Sequence, residues 1–244
     1  MESSHGSAAW RQFGAGLTAI ARWVAEHEEE LRALEVWGSV GHAARKARLY
    51  APVDAEAWRQ LHESSFRDPS PDYEALIVSL YGPAGVGFDS LRHELVGAPL
   101  LADRQSEVTE VLDSLFDARN YVTVCGALPL IEYVLGKAAG RWKQPTRHNL
   151  SARLDEVRAF SPDEEAVLLV NSSAVYMVLN EVPEVWKAGR QQIDTMTGSL
   201  NRHFVLHGTG LGWDDATNAT RAVLLLAAAA RVAGPLLSPS SDVD

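Results

Sequence analysis

The chain has 244 residues, 46% hydrophobic and 22% charged, which is ample for a buried core and ordinary for a globular protein. Its formal net charge of −10 disfavours a broad, sequence-blind nucleic-acid groove, although a few converging cations can still make a small local site. A single cysteine, Cys125, excludes an internal disulfide framework and a clustered thiolate metal site, and a reducing cytosol is the expected compartment.

Alanine and leucine are abundant, β-branched runs are few, and apolar residues recur at three- and four-residue spacing, so the expected fold is an all-α helical bundle. The start Met1-Glu2-Ser3-Ser4-His5 lacks a basic head followed by an apolar run, so no secretory leader is expected. Residues 8–35 predict a long amphipathic helix carrying Trp10, Phe13, Leu17, Ile20, Val24, Leu31 and Leu34, with the acidic run Glu26, Glu28, Glu29 and Glu30 as a solvated face. Further helices are predicted over 54–65 and 72–80. Between 66 and 99 the punctuation by Asp68-Pro69-Ser70-Pro71, Gly82-Pro83, Gly85, Gly87 and Pro99 reads as loops, and a soft domain boundary is placed near 98.

Residues 103–118 place Val108, Val111, Leu112, Leu115 and Phe116 on one apolar stripe. Residues 120–139 are apolar on nearly every side and predict a central helix, kinked at Pro129, with Glu132 as its polar exception. An unpaired carboxylate there is costly, so Glu132 is expected to meet a buried cation, with Arg202 a candidate, or else to reach solvent. Ser161-Pro162-Asp163-Glu164 reads as a capping box opening a helix that runs to about 181, before Pro183. Another helix is expected to include 190–206. Asp214 or Asp215 caps a last helix through Val232, stopped by Gly234-Pro235, and 236–244 is expected to be a disordered tail.

The stretch Asn201-Arg202-His203-Phe204-Val205-Leu206-His207-Gly208 points most clearly to chemistry. His203 and His207 stack one helical turn apart, and Arg202 is expected beside them on the same small surface, with Asn201 as the helix cap. A permanent cation and groups that titrate near neutrality suit a phosphodiester. The spacing is weak alone, because Arg22 with His27 and Arg141 with His148 resemble it, but in both of those tryptophan follows the arginine.

In its context this segment, followed by a helix containing Asn218, resembles the signature of HEPN-superfamily proteins. The upstream stretch from Leu115 to Gly136, with Tyr121, Pro129 and Ile131-Glu132, is similar to helices preceding that motif in Abi-like and other HEPN relatives. The resemblance covers roughly 100–235. It leaves 1–98 unexplained, so the expected organisation is an N-terminal helical region of unknown role at 1–98, a HEPN-like bundle at 99–235 and the tail at 236–244.

The resemblance also implies a metal-independent endoribonuclease, usually a homodimer whose two motifs share a cleft, that attacks through the ribose 2′-hydroxyl and leaves a 2′,3′-cyclic phosphate. Arg202 matches the family arginine, His207 the family histidine and His203 the polar position after the arginine, which leaves the division of roles between the histidines open. A toxin or phage-defence effector, with an antitoxin or regulatory partner, is the context the family implies. No cofactor or metal is expected: His203 and His207 have zinc-compatible spacing but no third ligand. Arg141, Lys143, Arg147 and His148 form a basic strip that reads as a polar linker or as RNA-backbone contacts. Two other functions stay open. One is a non-catalytic HEPN module binding a nucleotide or RNA; the other is a helical scaffold in which the motif is only a structural polar cluster. Trp10, Trp23, Trp37 and Trp58 read as packing residues, and Cys125 as a small buried hydrophobe.

Overall fold

A computed structural model describes residues 72–138, 181–186, 200–207 and 212–234, together with positions 60, 63, 67 and 178. The chain divides into compact units at 1–40 and 41–244, and all of these residues belong to the second. The helices expected over 8–35 and 54–65, the capping box at 161–164, the basic strip 141–148 and the tail 236–244 fall outside the described residues or are touched only at isolated positions.

Among the described residues every regular element is helical and none is a strand, so the fold is an all-α bundle. Helix α1, Tyr73–Tyr81, starts because the Asp72 carboxylate accepts the backbone N–H groups of Glu74 and Ala75, each at 3.1 Å. It stops at Gly82-Pro83, where the Gly82 N–H closes on the Val78 carbonyl at 2.8 Å. A tight turn follows, in which a Cβ on Gly85 would lie 2.4 Å from the Leu80 carbonyl group, so only glycine fits that approach.

Helix α2, Phe88–Gly97, occupies a stretch whose glycines and prolines read as loop. Those residues punctuate its two ends, while Phe88, Leu91 and Leu95 between them bury one face. Pro99 opens a 3₁₀ helix, Pro99–Arg104, that buries Leu100 and Leu101 and leads directly into α3, Gln105–Phe116.

The stripe Val108, Val111, Leu112 and Leu115 of α3 is buried as its spacing requires, but Phe116 is 56% exposed, its ring 5.8 Å from that of Phe88 on α2. Helix α4, Asn120–Ala138, is a single helix that runs through Pro129 with that residue on its exposed side. Gly126 lets α3 approach closely: a Cβ there would lie 2.6 Å from Val111 Cγ2. Residues 181–185 are helical through Pro183, beyond the expected stop before it.

Two helices complete the described fold: α5, Arg202–His207, and α6, Ala216–Ala233. Leu200 and Asn201, within the helix expected to include 190–206, lie outside any helix. The cap of α6 is Asp215, whose carboxylate accepts the Asn218 N–H at 2.7 Å and the Asn218 side-chain amide at 3.2 Å. Helix α6 is buried on almost every side, and its largest interface is with α4. The small residues Ala227 to Ala230 are all buried in this packing.

Helices α1 and α2 also pack on α6. Arg231 forks onto Glu94 of α2 (Nε–Oε1 2.9 Å, Nη2–Oε2 2.5 Å), and Arg221 reaches Glu74 of α1 at 3.6 Å. Residues on both sides of position 98 therefore share one packed unit. No helix among the described residues is long and apolar enough to cross a membrane.

Candidate functional site

The site is built on α5, a helix of six residues whose start is fixed by Asn201. The Asn201 side-chain oxygen accepts the His203 N–H at 2.9 Å, its backbone carbonyl accepts the Val205 N–H at 3.0 Å, and its amide donates to the Glu184 carbonyl at 3.4 Å. Asn201 is itself buried, so the cap is anchored from the interior. Val205 is buried as well, while Leu206 and His207 face solvent. The short helix thus lies against α4 with one wet side.

Glu132 meets a cation, and that cation is Arg202, with Nη2 3.7 Å from Oε2 and the two side chains 28% and 24% exposed. At that distance the contact is electrostatic rather than a well-formed hydrogen bond. A guanidinium carries five N–H donors in a planar fork, so one edge can face a carboxylate while another faces a phosphate. The carboxylate also reduces the positive potential that a phosphate would meet.

His203 and His207 pack together, with ring centroids 4.5 Å apart and planes inclined at 51°. His203 is half-buried and His207 exposed. Of the three residues expected on one surface, Arg202 thus contacts Glu132, while His203 and His207 contact each other. Helix geometry separates the two contacts: at about 100° per residue, His207 lies about 140° round the axis from Arg202. Sharing a helix end does not put i and i+5 on one face, and only arginine's long side chain can narrow that gap.

Asn218 is buried within the first turn of α6, where it serves the Asp215 cap. The basic residues Arg141, Lys143 and Arg147 lie outside the described residues. Cys125 is half-exposed rather than buried; desolvation nevertheless pushes its thiol up from the usual range, against the opposing pull of the Tyr121 hydroxyl. Among the described residues, no group of three or more histidine, cysteine or acidic side chains is placed to hold a metal ion.

One polar cluster had no signal in the sequence. Asp103, at the end of the 3₁₀ helix, accepts a hydrogen bond from the Tyr133 hydroxyl and another from Lys137 Nζ at 2.9 Å. Arg104 and Lys137 both lie near the Tyr133 ring, 4.7 Å and 5.5 Å from its centroid. The Tyr133 hydrogen bond, followed by that of Lys137, holds the Asp103 carboxyl down at about 2. Opposite charges here are matched and ion-paired, as in a clamp between two elements. Elsewhere, an open depression of about 430 Å³ is lined by Asp89, Ser90, His93 and Glu94 of α2, with Glu94 engaged by Arg231.

No protein-family model matches the chain, and neither a curated protein sequence nor a solved structure matches it.

Proposed function

We propose that α5 carries a phosphodiester-binding and phosphodiester-cleaving site, acting on RNA through attack of the ribose 2′-hydroxyl without a metal ion. The observation that carries this reading is the contacting pair of imidazoles, one of them exposed, on a helix that also presents Arg202. Imidazole can take a proton from the 2′-hydroxyl or give one to the departing 5′-oxygen. Arg202, oriented by Glu132, offsets charge that builds on phosphorus.

The rotation between Arg202 and His207 makes a homodimer the natural working form. A second copy facing this surface brings another guanidinium and another imidazole pair to one cleft, as the HEPN resemblance implies. A toxin or phage-defence effector held in check by a protein partner fits such an activity.

The test is incubation of purified protein with RNA in EDTA. Wild type is expected to leave 2′,3′-cyclic phosphate ends. His207→Ala should lose about 10²–10⁴-fold in rate, as expected for removal of a general acid or base. Arg202→Ala should lose about 10²–10³-fold, in line with removal of one transition-state donor. Intact RNA under all conditions rejects cleavage.

One second reading is a non-catalytic module that grips a nucleotide or RNA through Arg202, which Glu132 holds at the edge of α4. It predicts that Arg202→Ala weakens ligand affinity while wild type shows no turnover. Were both substitutions to change only stability or partner association, the cluster would belong to a helical scaffold.

A further inference from the structure

We infer that Tyr121, at the start of α4, is a stacking platform for a nucleobase of the strand whose phosphate Arg202 grips. The inference rests on the phosphodiester reading and adds to it a second contact, about three helical turns along α4 from the first.

Both contacts lie on one side of α4. Tyr121 and Glu132 are eleven positions apart, which at about 100° per residue returns to within about 20° of the same direction. At about 1.5 Å per residue they are separated by about 16 Å along the axis. Arg202 meets Glu132 at one end of this stretch, Nη2 to Oε2 3.7 Å, and Trp213 meets Tyr121 at the other, with ring centroids 5.3 Å apart. Glu132 and Trp213 each have interactions beyond these, so neither end depends on a single contact.

The Tyr121 ring is fixed and yet open. It is 58% exposed, although it lies against the buried ring of Trp213 and its hydroxyl interacts with the Cys125 thiol one turn on. A side chain held in this way loses little freedom when a ligand covers it.

The surroundings favour a base over a phosphate. From Tyr121 to Ile131 α4 carries no charged side chain, and Val122 and Pro129 on it are exposed. Arg119, two positions before Tyr121, is already paired with Glu110 and Asp117. Asp214, next to Trp213, is exposed and repels a phosphate. Stacking needs no counter-charge, so it suits a chain of net charge −10. At about 3.4 Å per stacked nucleotide, the separation corresponds to about five nucleotides, within the lengths that single-strand sites span.

The test is fluorescence anisotropy of a labelled RNA octamer, with His207→Ala as the parent protein so that the octamer stays uncut. Tyr121→Ala should weaken binding about 5- to 100-fold, and so should Tyr121→Leu, which keeps an apolar cover over Trp213 but has no ring. Tyr121→Phe should stay within about 3-fold of the parent. The loss should be the same at about 50 and about 300 mM KCl, because stacking releases no counterion. A fully abasic octamer should bind the parent and Tyr121→Ala proteins within about 2-fold of each other.

A Tyr121→Leu protein that binds the octamer as tightly as the parent would overturn the platform and leave the α5 reading standing. An equal loss on the abasic octamer would overturn it as well, by assigning the contact to sugar and phosphate. No binding of either octamer by the parent protein rejects the phosphodiester reading itself, and the platform with it.

Discussion

Ala118 adopts φ 55°, and among the described residues it is the sole non-glycine in left-handed backbone space. The turn requires it. The Arg119 N–H reaches back to the Ser114 carbonyl at 2.7 Å and the Ala118 N–H to Leu115 at 3.1 Å, the paired bonds of a Schellman ending for α3. A Cβ in this region costs roughly 1–2 kcal/mol. Ala118→Gly removes that cost but adds about 0.4–1 kcal/mol of unfolded-state entropy, for a net gain of about 0.5 kcal/mol. A urea midpoint shifted upward with an unchanged slope is the expected result, and a lower midpoint would show that Ala118 gains more from its methyl group than it loses in strain. Sequence spacing carried no hint of this residue, because alanine is a poor marker for a left-handed turn. Glu132 was legible for the opposite reason: a carboxylate in an apolar helix needs a counter-charge, and Arg202 supplies it at 3.7 Å. Asn201 was legible as a cap for its side-chain oxygen. The rotation that separates Arg202 from His207 was missed by treating residues five apart as near neighbours.

The elements of the bundle were readable where one apolar signal dominated, a stripe in α3 and a nearly all-round run in α4, and were hidden where punctuation was dense. In α2 the apolar positions Phe88, Leu91 and Leu95 have helical spacing, but a ten-residue helix bounded by Gly87 and Gly97 has few turns in which to reveal it. Contacts between elements were invisible, because Asp103 meets Tyr133 and Lys137 across 30 and 34 residues of chain. That clamp joins the 3₁₀ helix to α4 and has a pH signature. Its folded carboxyl lies at about 2, below the ordinary value of 3.8, so the native state binds the proton less readily than the unfolded chain. The stabilisation it contributes is present above the unfolded value and is lost as pH falls through the folded one, between about pH 4 and pH 2. Asp103→Asn should therefore melt below wild type at pH 6, and the gap should close as pH falls across that window. A gap that persists at pH 2 would mean that the clamp acts through shape and not through charge.

At the scale of the whole molecule, the net charge of −10 constrains the proposed RNA site. A chain that repels polyanions at long range would have to gain any such affinity from a few close contacts. The α5 cluster offers one permanent cation, Arg202, already tempered by Glu132, and two imidazoles. With one to three phosphates engaged per site, the slope of log K against log salt should fall between about −0.7 and about −2, at roughly −0.7 per phosphate for a single strand. The measurement is fluorescence anisotropy of a labelled RNA with the His207→Ala protein, from about 50 to about 300 mM KCl, a range over which a slope this shallow costs only about 3- to 40-fold in affinity. A slope steeper than about −4 would require six or so phosphates in contact and would defeat the picture of a compact site. Arg141, Lys143 and Arg147 would then be the cations to substitute next, and the restoration of a shallow slope by neutralising them would place the RNA path along that strip. A shallow slope lost altogether in Arg202→Ala would instead assign the electrostatic grip to one guanidinium, held at the edge of α4 by the carboxylate that the bundle could not leave alone.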